Sequence, residues 1–209
     1  MNEHVLSPGD ADALLFDLGR VVLDIDLSRT LHCWARHAGC EPTQLGQHFL
    51  GDELYHHHEK GEISDAAFFA GLRSSLGIEI SDAQFLEGWN AIFVGVIPGI
   101  HQLLARAAQH LPLYAFSNTN SPHIAYFSDQ YADVLGHFRK IFLSSTIRLR
   151  KPDAAAYDHV VQAIGVPAER IVFFDDLVEN IEGARQRGLK AVLVSSPDNV
   201  ARALEALGI

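Results

Sequence analysis

An α/β fold, a Rossmann-like open parallel sheet (α/β core) with an inserted α-helical cap, is the class this sequence predicts. Three observations predict it. Short continuous apolar runs recur through the second half, each followed by a helical pattern. One more such run stands near the start. Between that first run and the others lie about seventy residues with no clear strand signal.

The first run is ALLFD (13–17). The others are LPLYAFS (111–117), KIFLS (140–144), RIVFFD (170–175) and KAVLVS (190–195). Unbroken apolar runs of this length read as strands buried on both faces, as in a parallel sheet. Helices are predicted from Pro98 to about Gln109, with proline at the first position. Others fall at roughly 122–130, 153–164, 177–187 and 197–207, with Gly165 and Gly188 as stops. Ligands of such sheets bind at the carboxyl ends of the strands.

The segment 27–95 reads as four or five helices, a cap inserted into a core formed by residues 1–26 and 96–209. Two related phrases stand in it, 62-EISDAAFFAG-71 and 79-EISDAQFLEG-88. Ser64 and Ser81 are natural helix N-caps, and Ser81 with Gln84 makes a capping box.

The 209 residues suit one domain, or one domain with an insertion. A net charge of -10 argues against nucleic acid and anionic membranes as partners. No apolar run approaches the ~20 residues that span a bilayer. The start, MNEHVLSPGDADA, has neither a basic n-region nor an apolar h-region. Cys33 and Cys40, the only cysteines, fit neither a CxxC motif nor a disulfide framework, and read as reduced core fillers. A cytoplasmic monomer or homodimer is expected.

The predicted strand ends carry chemistry. Strand one ends on Asp17, strand two on Ser117-Asn118, and strand four on Asp175-Asp176. Lys151-Pro152 follows strand three. Alone, each has an ordinary reading as a turn, a cap or a solvated charge. Together they place three carboxylates, a hydroxyl and a lysine at one sheet edge. Three carboxylates suit Mg²⁺. A lysine and a hydroxyl suit phosphate oxygens. A carboxylate can also be a nucleophile, as in aspartyl-phosphate chemistry. Metal-assisted phosphoryl transfer through Asp17 follows.

In order along the chain, FDLGRVVLD, AFSN, RKPD and VFFDDLVENIEGA resemble the four motifs of the haloacid dehalogenase-like hydrolase superfamily. The cap between motifs one and two resembles its type-one-cap subfamily. The resemblance implies that Asp17 is nucleophile and Mg²⁺ ligand, with the Gly19 carbonyl and Asp176 completing the metal set. It implies that Ser117 and the Asn118 backbone bind the phosphoryl group and that Lys151 holds it. Asp175 and Asn180 would support the metal from behind.

Most phosphatases of that superfamily carry an aspartate two residues after the nucleophile, as general acid and base. Here Gly19 stands there, and its side chain can supply no proton. The wider pattern is similar to a branch containing α-glucose-1-phosphate phosphatases, which also tolerates glycine at this point. A small phosphorylated metabolite, a sugar phosphate first, is therefore the expected substrate. The alternatives are a 2-haloacid dehalogenase using Asp17, and a non-catalytic binder of sugar phosphates or protein. In the cap, His56-His57-His58-Glu59 cannot converge on one ion from adjacent helical positions. His58 and Glu59 are candidates for substrate contact from a partly exposed helix. Arg20 is a candidate for a substrate oxygen, and His123 is similar. Trp34, Trp89 and Phe93 read as cap core, and Asp24 and Asp26 as turn formers.

Overall fold

The computed structural model describes residues 6–46 and 53–209. In chain order, β1 (Ala13–Phe16) leads through a turn to β2 (Leu23–Ile25). Four helices follow: α1 (Leu27–Ala38), α2 (Glu53–Glu59), α3 (Asp65–Leu76) and α4 (Asp82–Asn90). β3 (Phe93–Val96) then precedes α5 (Ile100–Ala107) and β4 (Leu113–Ser117). Next come α6 (Ser121–Gln130), α7 (Ala132–Leu135), β5 (Phe138–Leu143), α8 (Ser144–Ile147) and α9 (Ala154–Ile164). The chain continues through β6 (Ile171–Asp175), α10 (Val178–Gln186), β7 (Lys190–Leu193) and α11 (Pro197–Ala206).

The five predicted strands form one sheet in the order β5-β4-β1-β6-β7, and every pairing is parallel. Alternate side chains along a strand serve opposite faces. Leu14, Phe16, Val172 and Phe174 pack on one face with Ile100, Leu104, Phe127 and Leu204. Ala13, Leu15 and Phe173 pack on the other with Tyr157, Val160 and Ile181. Burial of each large apolar side chain contributes about 1.5–3 kcal/mol, so the alternation fixes the register that aligns the strand ends.

A third apolar cluster lies within the helical layer, around Trp34, Phe68, Phe69, Phe85 and Trp89. The paired phrases start as expected. Ser64 caps α3, and Ser81 caps α4 with the Gln84 capping box formed. Asp26 caps α1, accepting from the Ser28 amide at 2.8 Å. Gly88 lies so close to Trp34 that an added Cβ would stand 2.2 Å from its ring. Trp34 Nε1 donates to the Phe85 carbonyl at 2.9 Å. The small residue and the indole thus bring α1 and α4 into close approach.

Three expectations change. The stretch read as strandless contains the start of β3, which pairs antiparallel with β2. The expected cap boundary at residue 95 therefore falls inside a strand. Local pattern could not show this pairing, because both strands are short and their partners are distant in sequence. The helix placed at Pro98 begins at Ile100, because Gly99 adopts a left-handed conformation (φ 88°) just before it. Phe93, expected in the cap core, packs instead with the sheet-side cluster. Among the described residues no helix is long and apolar enough to cross a membrane.

Candidate active site

The parallel register brings three strand ends together. Asp17 follows β1 directly, Ser117 ends β4, and Asp175 ends β6 with Asp176 next. Lys151 comes from the loop after α8, through a cis Lys151–Pro152 peptide. Its Nζ donates to Asp17 Oδ1 at 2.7 Å and to Asp175 Oδ2 at 2.6 Å. The ammonium also stands 5.3 and 5.4 Å from the Phe116 and Phe173 ring centres. It is 1% exposed. Burial disfavours its charge, but Asp17 and Asp175 more than offset this and hold its pKa above the ordinary lysine value.

Asp175 is fully occupied from within. Besides Lys151 it accepts from the Leu177 amide and from Asn180 Nδ2 at 2.9 and 3.1 Å. Asn180 thus holds Asp175 through its amide nitrogen, and the residue also lines the cavity at these strand ends. Asn118, expected to meet substrate, has its side chain on the Lys151 backbone, accepting from the amide and donating to the carbonyl, both at 2.9 Å.

One carboxylate oxygen each from Asp17, Asp175 and Asp176 lie within 4.8 Å of one another. Three carboxylates against one ammonium leave two negative charges in excess. The strain shows in proton affinity. Burial, then repulsion by Asp175 and Asp176, raises Asp17 to about 7 against the pull of Lys151. Burial and then Asp175 also raise Asp176. A hard divalent cation would offset this excess, and oxygen-only ligands fit Mg²⁺.

Asp17, Ser117, Lys151 and Asp176 line one cavity of about 380 Å³, together with Gly19 and Arg20. The loop that carries Gly19 is closed by its backbone. The Val22 and Leu23 amides both donate to the Leu18 carbonyl at 2.8 Å, and the Arg20 amide donates to the Leu23 carbonyl at 2.7 Å. Arg20 takes a left-handed conformation there (φ 57°).

The far wall comes from the helical layer and includes Tyr55, His56 and Glu59. Glu59 is buried, and its Oε2 accepts from Arg150 Nε at 3.1 Å and Nη2 at 3.0 Å. Burial raises its pKa against the pull of Arg150. Its carbonyl accepts from Ser144 Oγ at 2.6 Å, fixing α2 to the core. The expectation for His58 is corrected. It lies outside the cavity wall, stacked 3.9 Å from the Phe68 ring with Nε2 bonded to Asp65 at 2.8 Å. A helix turn that presents His56 and Glu59 to the cavity turns His58 into the cap core. His123 is likewise buried against Trp89. Sequence reasoning missed Arg150 and Tyr55; RKPD pointed at Lys151, and no local signal marks its neighbour as Glu59's partner 91 positions away.

The chain is similar to several known proteins. The drimenol cyclase drtB of Aspergillus calidoustus is 28% identical over 196 residues, 92% of this chain but 35% of that protein. The enolase-phosphatase E1 of Stenotrophomonas maltophilia is 37% identical over 93 residues, 44% of this chain and 40% of that one. The chain thus spans about a third to two fifths of the curated relatives it matches. The wild-type HAD family enzyme of Bacteroides thetaiotaomicron, solved with magnesium and inorganic phosphate, superposes with a TM-score of 0.77 at 25% identity. That match covers 89% of this chain and 95% of that one. The family model for haloacid dehalogenase-like hydrolase matches residues 11–188. With that span covered, the chain belongs to the haloacid dehalogenase-like hydrolases.

Proposed function

We propose that the chain is a Mg²⁺-dependent phosphatase that forms a phospho-Asp17 intermediate on a small phosphorylated metabolite, with a sugar phosphate the first choice. The observation that carries this is the buried Lys151 bridge to Asp17 and Asp175, in one cavity with Ser117 and Asp176. Asp17, Asp176 and the Gly19 carbonyl would hold Mg²⁺, which when bound neutralises charge on the phosphoryl oxygens and lowers the proton affinity of Asp17. Lys151 orients Asp17 and offers positive charge to the phosphoryl group. Ser117 Oγ donates to a phosphoryl oxygen. Asp17 attacks phosphorus, the leaving oxygen departs, and water then hydrolyses the acyl phosphate.

Gly19 contributes no proton to the leaving oxygen. The substrate therefore has a good leaving group, such as an anomeric oxygen, or takes a proton from the cavity. Glu59, in the cap wall with a raised pKa, is the carboxyl placed for that. Arg20, Arg150 and Glu59 beside apolar Ile25 and Ile92 suit a compact polyhydroxylated leaving group. A 2-haloacid dehalogenase would leave Asp176, crowded against Asp17, without a task.

The test is phosphate release over a panel of phosphorylated metabolites, with and without Mg²⁺, for wild type and Asp17→Asn. Mg²⁺-dependent release abolished in Asp17→Asn supports the reading. Release that persists in the variant removes Asp17 from its role, and chloride release from 2-haloacids would replace the reading.

A further inference from the structure

A second cluster of metal-ligating groups lies on the outer side of the helical layer, separate from the cavity. Cys33 and His37 stand one turn apart on α1, and Glu87 faces them from α4. Cys33 Sγ is 3.7 Å from Glu87 Oε1, and His37 Nε2 is 2.9 Å from Glu87 Oε2. One ligand atom from each residue lies within 4.8 Å of the others. Cys33 is not part of the apolar cluster its helix otherwise builds, which takes Leu31, Trp34 and Ala35. Cys33 is buried, as expected of a core filler, and its thiol also faces the carboxylate.

We propose that Cys33, His37 and Glu87 form a zinc site that clips α1 to α4. The donor set of thiolate, imidazole and carboxylate is the one zinc takes, with water as the fourth ligand. Tetrahedral bonds of about 2.0–2.3 Å put ligand atoms roughly 3.3–3.6 Å apart. The sulfur stands 3.7 Å from Glu87 Oε1 and the imidazole nitrogen 2.9 Å from Oε2, so a carboxylate that binds through one oxygen turns to share it, within the 4.8 Å that already holds one ligand atom of each residue. The spacing is preorganised, because Gly88 against Trp34 already sets the approach of the two helices one residue away.

A cation already uses this place. Arg36 Nη2 sits 2.9 Å from Glu87 Oε1 and 3.6 Å from Cys33 Sγ. Its side chain is 68% exposed, so the pair with Glu87 is weak and the guanidinium is free to swing out. On zinc binding the Cys33 thiol releases its proton to water, His37 binds through Nε2, and Glu87 exchanges Arg36 for the metal. No electron transfer is involved. The hard oxygen set at Asp17 and this mixed set select different ions.

The experiment uses this 209-residue chain without a tag, titrated with Co²⁺ as a zinc probe and followed by near-ultraviolet absorption. The expected result is a thiolate charge-transfer band that accounts for one Co²⁺ per chain, apart from any ion held at Asp17. The band is displaced by Zn²⁺, lost in Cys33→Ser, retained in Cys40→Ser, and tighter in Arg36→Ala. In excess Mg²⁺, zinc at a hundred times its Kd should raise Tm by about 5–10 °C in wild type and by less in Glu87→Gln, each measured against its own zinc-free Tm. No band in wild type, or a band that survives Cys33→Ser, overturns the site. None of these variants touches the cavity, so the outcome is independent of the phosphatase reading.

Discussion

Asn118 holds the backbone of Lys151 at both ends of one residue, accepting from its amide and donating to its carbonyl at 2.9 Å each. A side chain that continues β4 therefore sets the height of a lysine arriving 33 positions later. Asn118→Ala removes both bonds and leaves two part-buried backbone groups to find other partners. Stability should fall by about 2–4 kcal/mol in urea melts. Phosphate release should fall about a hundredfold through displacement of Lys151. A variant as active as wild type would show that Lys151 is held by its carboxylates alone.

Magnesium affinity should depend on pH. Asp17 must be ionised to bind, and its pKa in the metal-free protein is about 7. Below that value a proton competes with the ion, so affinity should drop about tenfold per pH unit; above it, the dependence should flatten. Calorimetry in buffers of different ionisation enthalpy would count the released proton. A flat profile from pH 5 to 8 would contradict the raised carboxyl.

Gly19 is not required by backbone conformation. An added Cβ meets only the end of Ile25, Cδ1 at 3.3 Å, and Gly19 is not among the glycines with positive φ. Gly19→Asp should thus fold normally, with Tm within a few degrees of wild type. If the missing acid limits turnover, poor leaving groups should gain most, up to the roughly 10²–10⁴-fold of acid catalysis. Glu59→Gln should lose activity in the wild-type background and regain it in Gly19→Asp. Equal slowing of every substrate by Gly19→Asp would argue that the glycine serves the cavity's shape.

Gly61 is required. It has φ 63°, and a Cβ there would stand 2.5 Å from the Ser145 carbonyl oxygen. Gly61→Ala must move the end of α2 away from α8 and break the Ser144–Glu59 contact. The expected result is a loss of about 1–3 kcal/mol in a thermal melt. KM should rise through the displaced Glu59 wall. An unchanged KM with lowered stability would mean that α2 keeps its place by other contacts.

His123 should make the protein acid-sensitive. Its Nε2 is bonded to the Trp89 carbonyl at 3.0 Å and its Nδ1 to Asn120 at 3.2 Å, so the neutral ring is satisfied on both sides. Burial lowers its pKa to about 4. Unfolded, the ring takes a proton near 6.5, so the native state is stabilised in full above that pH. Stability is lost as pH falls from 6.5 towards 4, by about 3 kcal/mol over the window. His123→Gln should flatten this slope, whatever its effect on absolute stability; an unaltered slope would assign it to other groups.

The sheet was legible in the sequence because strands buried on both faces announce themselves locally. Asp17, Ser117 and Asp175 were legible for the same reason, as the polar residues that end such runs. The relations across the fold were not. β2 and β3 pair over some seventy residues with three or four residues each. His58 and His123 gave no sign of burial, since the rings they stack on, Phe68 and Trp89, are contributed by other helices. Arg150 carries the Glu59 wall, but in sequence it is only the residue before a more conspicuous lysine.

The β2–β3 ladder has a consequence for how such a protein diversifies. Asp24 lies opposite Gly95 and Leu23 opposite Val96, so the chain leaves for the helical layer and returns from it at a single doorway. Everything between Ile25 and Phe93 is, for the sheet, one long hairpin loop. Its interior can be lengthened, shortened or exchanged while the catalytic edge keeps its alignment. The strand ends and the helical layer that faces them are thus written in separable passages of one gene.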